Sequence, residues 1–127
     1  MIVLDTHALL FWRAAPEKLG RAARRICERS ERVGVSTISF WEIGTLAAKG
    51  RLKLRIPLAE WVKETLQGPR IEPLAVTTDI AALAASLATF GDPADRIIVA
   101  TAIEESARLV TRDELIVEAN VVDTMWD

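Results

Sequence analysis

The chain opens on an unbroken apolar run, Ile2-Val3-Leu4, that stops abruptly at the carboxylate of Asp5. A short run without alternation, rich in β-branched residues, suits a strand covered on both faces, as in a parallel sheet flanked by helices. Such a strand needs partners on either side. It is predicted to be the central strand, with Asp5 at its carboxyl end, where open α/β sheets gather their ligand sites. Residues 6–13 follow as a short helix carrying Leu9, Leu10, Phe11 and Trp12. Pro16 fits the first turn of a second helix, which runs to about Glu31. There Leu19, Ala22, Ala23, Ile26 and Cys27 recur at helical spacing among Arg21, Arg24, Arg25 and Arg29.

Val33-Gly34-Val35-Ser36 reads as a second strand, followed by a helix over residues 37–49 that Gly50 ends in the C′ position. Residues 51–55 alternate Leu52 and Leu54 against Arg51, Lys53 and Arg55, the pattern of an exposed loop or an edge extension. Pro57 starts a helix to about Gln67, and Gly68-Pro69 breaks it. Residues 71–76 form a third strand that Pro73 marks as an edge. Thr78 or Asp79 caps an alanine-rich helix to about Thr89, and Gly91-Asp92-Pro93 punctuates the chain before a helix over residues 94–107. Leu109-Val110-Thr111 is a fourth strand, and residues 117–122 include a fifth. The alternation predicts an α/β fold, a three-layer α/β/α sandwich on a mainly parallel five-stranded sheet, with residues 1–127 as a single domain.

Half of the 127 residues are hydrophobic, enough for one core and too few for two domains. A net charge of −2 gives no bulk attraction to nucleic acid, so any such binding must come from local basic patches. The single cysteine, Cys27, can form no internal disulfide, which fits a reducing cytosol. The opening residues lack the pattern of a secretory signal, and no apolar run approaches the roughly 20 residues of a membrane span. A cytoplasmic protein without a membrane anchor is expected.

Four acids then change the picture, although each has a local explanation. Asp5 can cap the helix after it. Glu42 completes a Ser39-x-x-Glu42 capping box, but Ser36 and Thr37 are equally good caps; if one of them is used, Glu42 falls inside the helix as a partly buried acid. Asp92-Pro93-Ala94-Asp95 offers a cap, a proline at the first helical position and an acid at the third, with Arg96 a candidate partner for Asp95. Asp113 follows the fourth strand and can cap a short helix. Taken together, Asp5 and Asp113 lie beyond strand ends while Glu42 and Asp95 lie near helix starts, and in a parallel sheet these share one rim. Four acids meeting there repel one another unless cations hold them. Mg²⁺ or Mn²⁺ suits such an oxygen set, whereas one His and one Cys far apart make no zinc site.

The blocks from Val3 to Leu10, Ser36 to Ile43, Asp92 to Ala102 and Leu109 to Asp113 together resemble a PIN-domain ribonuclease of the VapC toxin type found in bacterial and archaeal toxin–antitoxin pairs. They keep the family's order across the whole chain. The resemblance implies a metal-dependent endoribonuclease whose acidic quartet falls on Asp5, Glu42, Asp95 and Asp113. Asp5, Asp95 and Asp113 would be direct or water-mediated ligands, Glu42 a second-site ligand or water orienter, and Thr111 a polar supporter and candidate substrate contact. It also implies an RNA substrate, a small cognate antitoxin and a homodimer. The chain departs from many relatives at Ala94, where they carry an aromatic, and at Phe90-Gly91, where they carry a histidine shortly before the Asp-Pro pair.

Because an acidic rim repels RNA, basic residues must supply the grip; the candidates are Arg13, Lys49, Arg51, Lys53, Arg55 and Arg112. His7 is expected to pack or to make a supporting hydrogen bond, and Trp12, Trp41, Trp61 and Trp126 to serve the core or an interface. The apolar first helix is a candidate partner surface. Two rivals remain. A phospho-accepting receiver domain would want paired acids at the first strand and a late lysine, which are missing here. A catalytically silent PIN-like binding module is argued against by the intact quartet.

Overall fold

β1 (Ile2–Leu4) is the middle strand of a five-stranded sheet in the computed structural model, which describes residues 1–87 and 91–127. β2 (Val33–Ser36) and β4 (Arg108–Val110) flank it, and β3 (Ile71–Leu74) and β5 (Thr124–Met125) form the edges in the order β3-β2-β1-β4-β5. Every pair is parallel. Side chains alternate across a strand, so β1 feeds two cores. Ile2 and Leu4 pack with Leu9, Val33, Val35 and Ile43 on one face, whereas Val3 joins Leu109, Ile98, Val99 and Ile116 on the other. Each such side chain contributes about 1.5–3 kcal/mol through burial, so a continuous apolar run is what this position requires. Pro73 sits in β3, an edge strand, where its missing N–H is tolerated.

Helices cover both faces. α1 (Thr6–Ala14), α2 (Arg21–Arg29) and α4 (Leu58–Leu66) pack against one, with Phe40 and Ile43 of α3 (Thr37–Ala48). α6 (Pro93–Glu104) and the short α7 (Glu114–Ala119) cover the other, and α5 (Thr78–Ser86) packs on α6 through Ile80, Ala84 and Ala100. Gly50 ends α3 with φ +73°, the left-handed conformation that favours glycine. Residues 51–55 form a loop whose Leu52 and Leu54 turn back onto the core. Among the described residues no helix is long and apolar enough to cross a membrane.

Several boundaries differ from expectation. The helix predicted from Pro16 to about Glu31 is two pieces, a 3₁₀ turn (Pro16–Lys18) and α2. The break falls at Gly20, where a Cβ would stand 2.2 Å from the Trp126 carbonyl oxygen. That carbonyl accepts the Ala23 N–H, so the C-terminal strand lies across the break. The fifth strand is not within residues 117–122. Asp113 caps Ile116 N–H, Asn120 closes the turn at φ 52°, and the apolar cluster between them is α7. Periodicity cannot separate a short strand from a short helix, and here the cap decides. The alanine-rich helix is capped by Thr77, one residue before Thr78 and two before Asp79, and is described to Ser86; its expected end at Thr89 and the Phe90 departure lie outside the described residues.

The first helix is partly covered within the chain, and Leu10, Phe11 and Trp12 stay half-buried. Leu9 is fully buried, Phe11 meets Trp126 edge-on, and Trp12 lies beneath the Arg70 guanidinium. Trp61 is core as expected, but Trp41 is 62% exposed.

Candidate active site

The ends of β1 and β4, the second turn of α3 and the first turns of α6 and α7 meet around one cleft of about 450 Å³, lined by Asp5, Glu42, Asp92, Asp95, Asp113 and Glu114 with His7 and Arg112 at its rim. All four carboxylates expected at the rim share it. Glu114 is a fifth, and Asp92, expected only as a cap, is a sixth. It does cap α6, accepting the Ala94 N–H at 2.8 Å, yet the same turn leaves it facing the cleft.

Each acid is held by a different device. Asp5 is buried, 7% exposed, and both of its oxygens have partners: Oδ1 accepts the Ala8 N–H at 2.8 Å, and Oδ2 accepts the Thr111 hydroxyl. Thr111, fully buried, also accepts the Asp113 N–H at 3.1 Å through its Oγ1, so one hydroxyl ties the β4 end to Asp5. It positions the Asp5 carboxylate. Asp113 Oδ1 caps α7 through Ile116 N–H at 3.1 Å. Ser36 is the cap of α3, so the Ser39-to-Glu42 capping box is not used and Glu42 lies in the second turn of the helix. There Glu42 Oε1 accepts the Thr6 hydroxyl, which also reaches Ser39 Oγ at 3.1 Å. Asp95 accepts no hydrogen bond among the described residues and forms no ion pair with Arg96.

The electrostatics follow from this crowding. Burial pushes the Asp95 carboxyl up to about 7, and the charges of Glu42, Asp92, Asp113 and Asp5 push in the same direction. Burial also holds Asp5 above the ordinary carboxylate range, against the hydrogen bonds from Thr111 and Ala8 and the nearby His7. Among the described residues, no lysine or arginine forms an ion pair with any of the six acids.

An all-oxygen, net-negative set of this kind fits a hard divalent cation. Among the described residues no three His, Cys, Asp or Glu side chains are gathered tightly enough to enclose an ion unaided. Magnesium-type sites meet that condition by taking one or two carboxylates and completing the shell with water and substrate phosphate.

The basic residues expected to grip substrate divide sharply. Arg112 lines the cleft. Arg13 does not: its Nε donates to Thr65 Oγ1 at 2.9 Å, it reaches Glu64 at 3.7 Å, and its guanidinium lies 5.1 Å from the Trp61 ring centroid. Lys49 is exposed beside Trp41, Gly44 and Leu58, in another surface pocket. Sequence reasoning missed Asp92 as a cleft residue and missed the Thr6–Ser39–Glu42 hydrogen bonds. The only available signal was the polar spacing of Thr6, Ser39 and Glu42, which no local pattern connects.

Residues 2–121 match the family model described as PIN domain. The chain is 38% identical over 114 residues to Ribonuclease VapC22 of Mycobacterium tuberculosis, covering 88% of this chain and 86% of that protein. Its fold is similar to that of VapBC2 from Rickettsia felis bound to a promoter DNA fragment, with TM-score 0.71, 17% identity and full coverage of both chains. It is also similar to a toxin–antitoxin complex from Klebsiella pneumoniae, with TM-score 0.69, 18% identity, and 98% and 96% of the two chains covered.

Proposed function

Since the chain belongs to the PIN-domain family, we propose that residues 1–127 act as one nuclease unit that hydrolyses RNA phosphodiester bonds at the acidic cleft, as the toxin of a toxin–antitoxin pair in the cytoplasm. The observation that carries this reading is the cleft itself, where six carboxylates gather without an ion-pair partner among the described residues and burial, with the neighbouring charges, pushes Asp95 up to about 7. Such crowding is relieved by a proton or by a cation, and once the acids ionise a hard cation is the fitting partner.

Asp5, Asp95 and Asp113 are the residues that would hold Mg²⁺ or Mn²⁺, one or two of them directly and the rest through water. The ion would supply charge neutralisation at the phosphoryl oxygens and a nucleophilic water at neutral pH. The chain's own contribution is preorganisation. Thr111 and the Ala8 N–H fix the plane of the Asp5 carboxylate. Thr6 fixes Glu42 through one oxygen, which leaves Oε2 to accept a proton from water in the cleft and orient its lone pair. Asp113 commits Oδ1 to α7 and keeps Oδ2 for the site. Asp95 alone is unrestrained by hydrogen bonds, so it can follow the charge as substrate enters. Arg112 at the rim meets the incoming phosphate. A small antitoxin protein and a second copy of the chain are the partners that this reading brings with it.

The test is cleavage of total cellular RNA by purified chain freed of any antitoxin. Activity should require Mg²⁺ or Mn²⁺, disappear in excess EDTA, and be lost in Asp95→Asn. Growth arrest on expression, relieved by the same substitution, should accompany it. Cleavage that persists unchanged in EDTA would sink the metal reading, and RNA binding without cleavage would leave a silent binding module.

A further inference from the structure

Arg112 is the one lysine or arginine lining the acidic cleft among the described residues, yet it does not neutralise the acids. Its guanidinium lies 5.0 Å from the centroid of the Phe11 ring and 5.7 Å from that of Trp126. The two rings meet edge-on at 6.3 Å, so they brace the guanidinium while the residue as a whole remains exposed. A guanidinium held by aromatic faces keeps its N–H donors for another partner and presents its second face as a flat platform.

Beyond Arg112 a second cavity of about 380 Å³ opens, sharing Arg112 and Glu114 with the cleft and walled by Val117, Glu118, Met125 and Trp126. Its chemistry differs from the cleft's. Aliphatic, thioether and indole surfaces form much of it, and the flanking carboxylates accept hydrogen bonds but repel phosphate. The volume lies within the roughly 300–1,000 Å³ of ordinary ligand pockets. We propose that this cavity is a nucleoside subsite, taking the base and ribose of the nucleotide next to the phosphate held in the acidic cleft. Arg112 stands at the boundary, with its donors toward the phosphate and its open face against the base, a mode by which single-stranded bases are commonly held. Glu114 and Glu118 favour a base edge rich in N–H donors. The proposal rests on the cleft being the site of RNA cleavage.

The first experiment needs no cleavage. Adenosine, guanosine, cytidine and uridine 5′-monophosphates, with ribose 5-phosphate as the base-free control, are titrated in Mg²⁺ while the backbone amide signals of Val117, Glu118 and Met125 are followed by NMR. Base-dependent shifts at these amides, weakened at least about fivefold by Arg112→Ala and by Val117→Trp, are expected from the loss of one stacked base. Val117 is 46% exposed, so the tryptophan fills the cavity without entering the core. The second experiment sequences the ends cut from a randomised oligoribonucleotide pool. Wild type should favour one base at one fixed position, and Arg112→Lys should flatten that preference, because an ammonium keeps the charge but not the plane. Cleavage without base-dependent amide shifts overturns the subsite and leaves the nuclease standing. Shifts without cleavage leave the subsite and overturn the nuclease. A preference profile unchanged in Arg112→Lys and Val117→Trp also overturns the subsite.

Discussion

Two charged regions of this molecule are built on opposite principles. At the carboxyl end of α2, Arg70 donates one Nη1 to the carbonyls of Cys27, Glu28 and Ser30 at 2.9, 3.0 and 2.7 Å and lies 5.9 Å from the Trp12 ring centroid. The Arg70 guanidinium thus has its partners inside the chain, as has Arg32, bidentate on Glu72. In the acidic cleft six carboxylates gather, and among the described residues none forms an ion pair. The comparison separates charges that stabilise the fold from charges that the fold holds against their own repulsion. Only the second kind needs a partner from outside.

The comparison breaks most visibly at Asp95 and Asp5. Asp95→Asn and Asp5→Asn should each lower RNA cleavage by at least about 100-fold, as expected when an ion's direct ligand is lost. Metal-free Asp95→Asn at pH 7.5 should at the same time be more stable than wild type, because a repelled charge has gone; chemical denaturation measures this. A variant that is inactive and also less stable would place Asp95 among the structural charges instead. Thr111→Val should lower activity about 10–100-fold by freeing the Asp5 carboxylate. Unchanged activity in a folded Thr111→Val protein would remove the positioning role.

The stability of the metal-free protein should depend on pH in the direction opposite to ordinary paired acids. The carboxyls of Asp95 and Asp5 sit above their unfolded values, so the native state binds more protons than the unfolded chain between about pH 4 and 7, and stability falls as pH rises through that window. After allowance for solvent screening at half-buried Asp95, about 2 kcal/mol should be lost. Mg²⁺ should restore it at pH 7.5 and do little at pH 5. Thermal unfolding at both pH values, with and without the ion, tests this, and equal stabilisation at the two would contradict it. Arg70→Ala should cost about 2 kcal/mol from lost charged hydrogen bonds while leaving the activity of the folded protein unchanged. Lys49→Ala, exposed and outside the cleft, should change neither stability nor cleavage beyond about 0.5 kcal/mol.

Local rules were enough for much of this molecule. The unbroken Ile2-Val3-Leu4 run demanded a central buried strand, Pro73 an edge, Gly50 a helix end and Asp92-Pro93 a helix start, since each depends on backbone geometry or burial within a few residues. The ordered acids also marked their rim, because a parallel sheet brings strand ends and helix starts to one side whatever the intervening chain. Tertiary packing decided the remainder. Trp126 pressing on Gly20 split a helix that periodicity joined, and the cap at Asp113 turned an apolar stretch from strand to helix. The Thr111 hydroxyl reached Asp5 across 106 positions, Arg112 settled on Phe11 and Trp126, and Arg13 was drawn away to Thr65. Those contacts join residues far apart in the chain, and no spacing encodes them: their energies exist only once burial has brought the partners within a few ångströms.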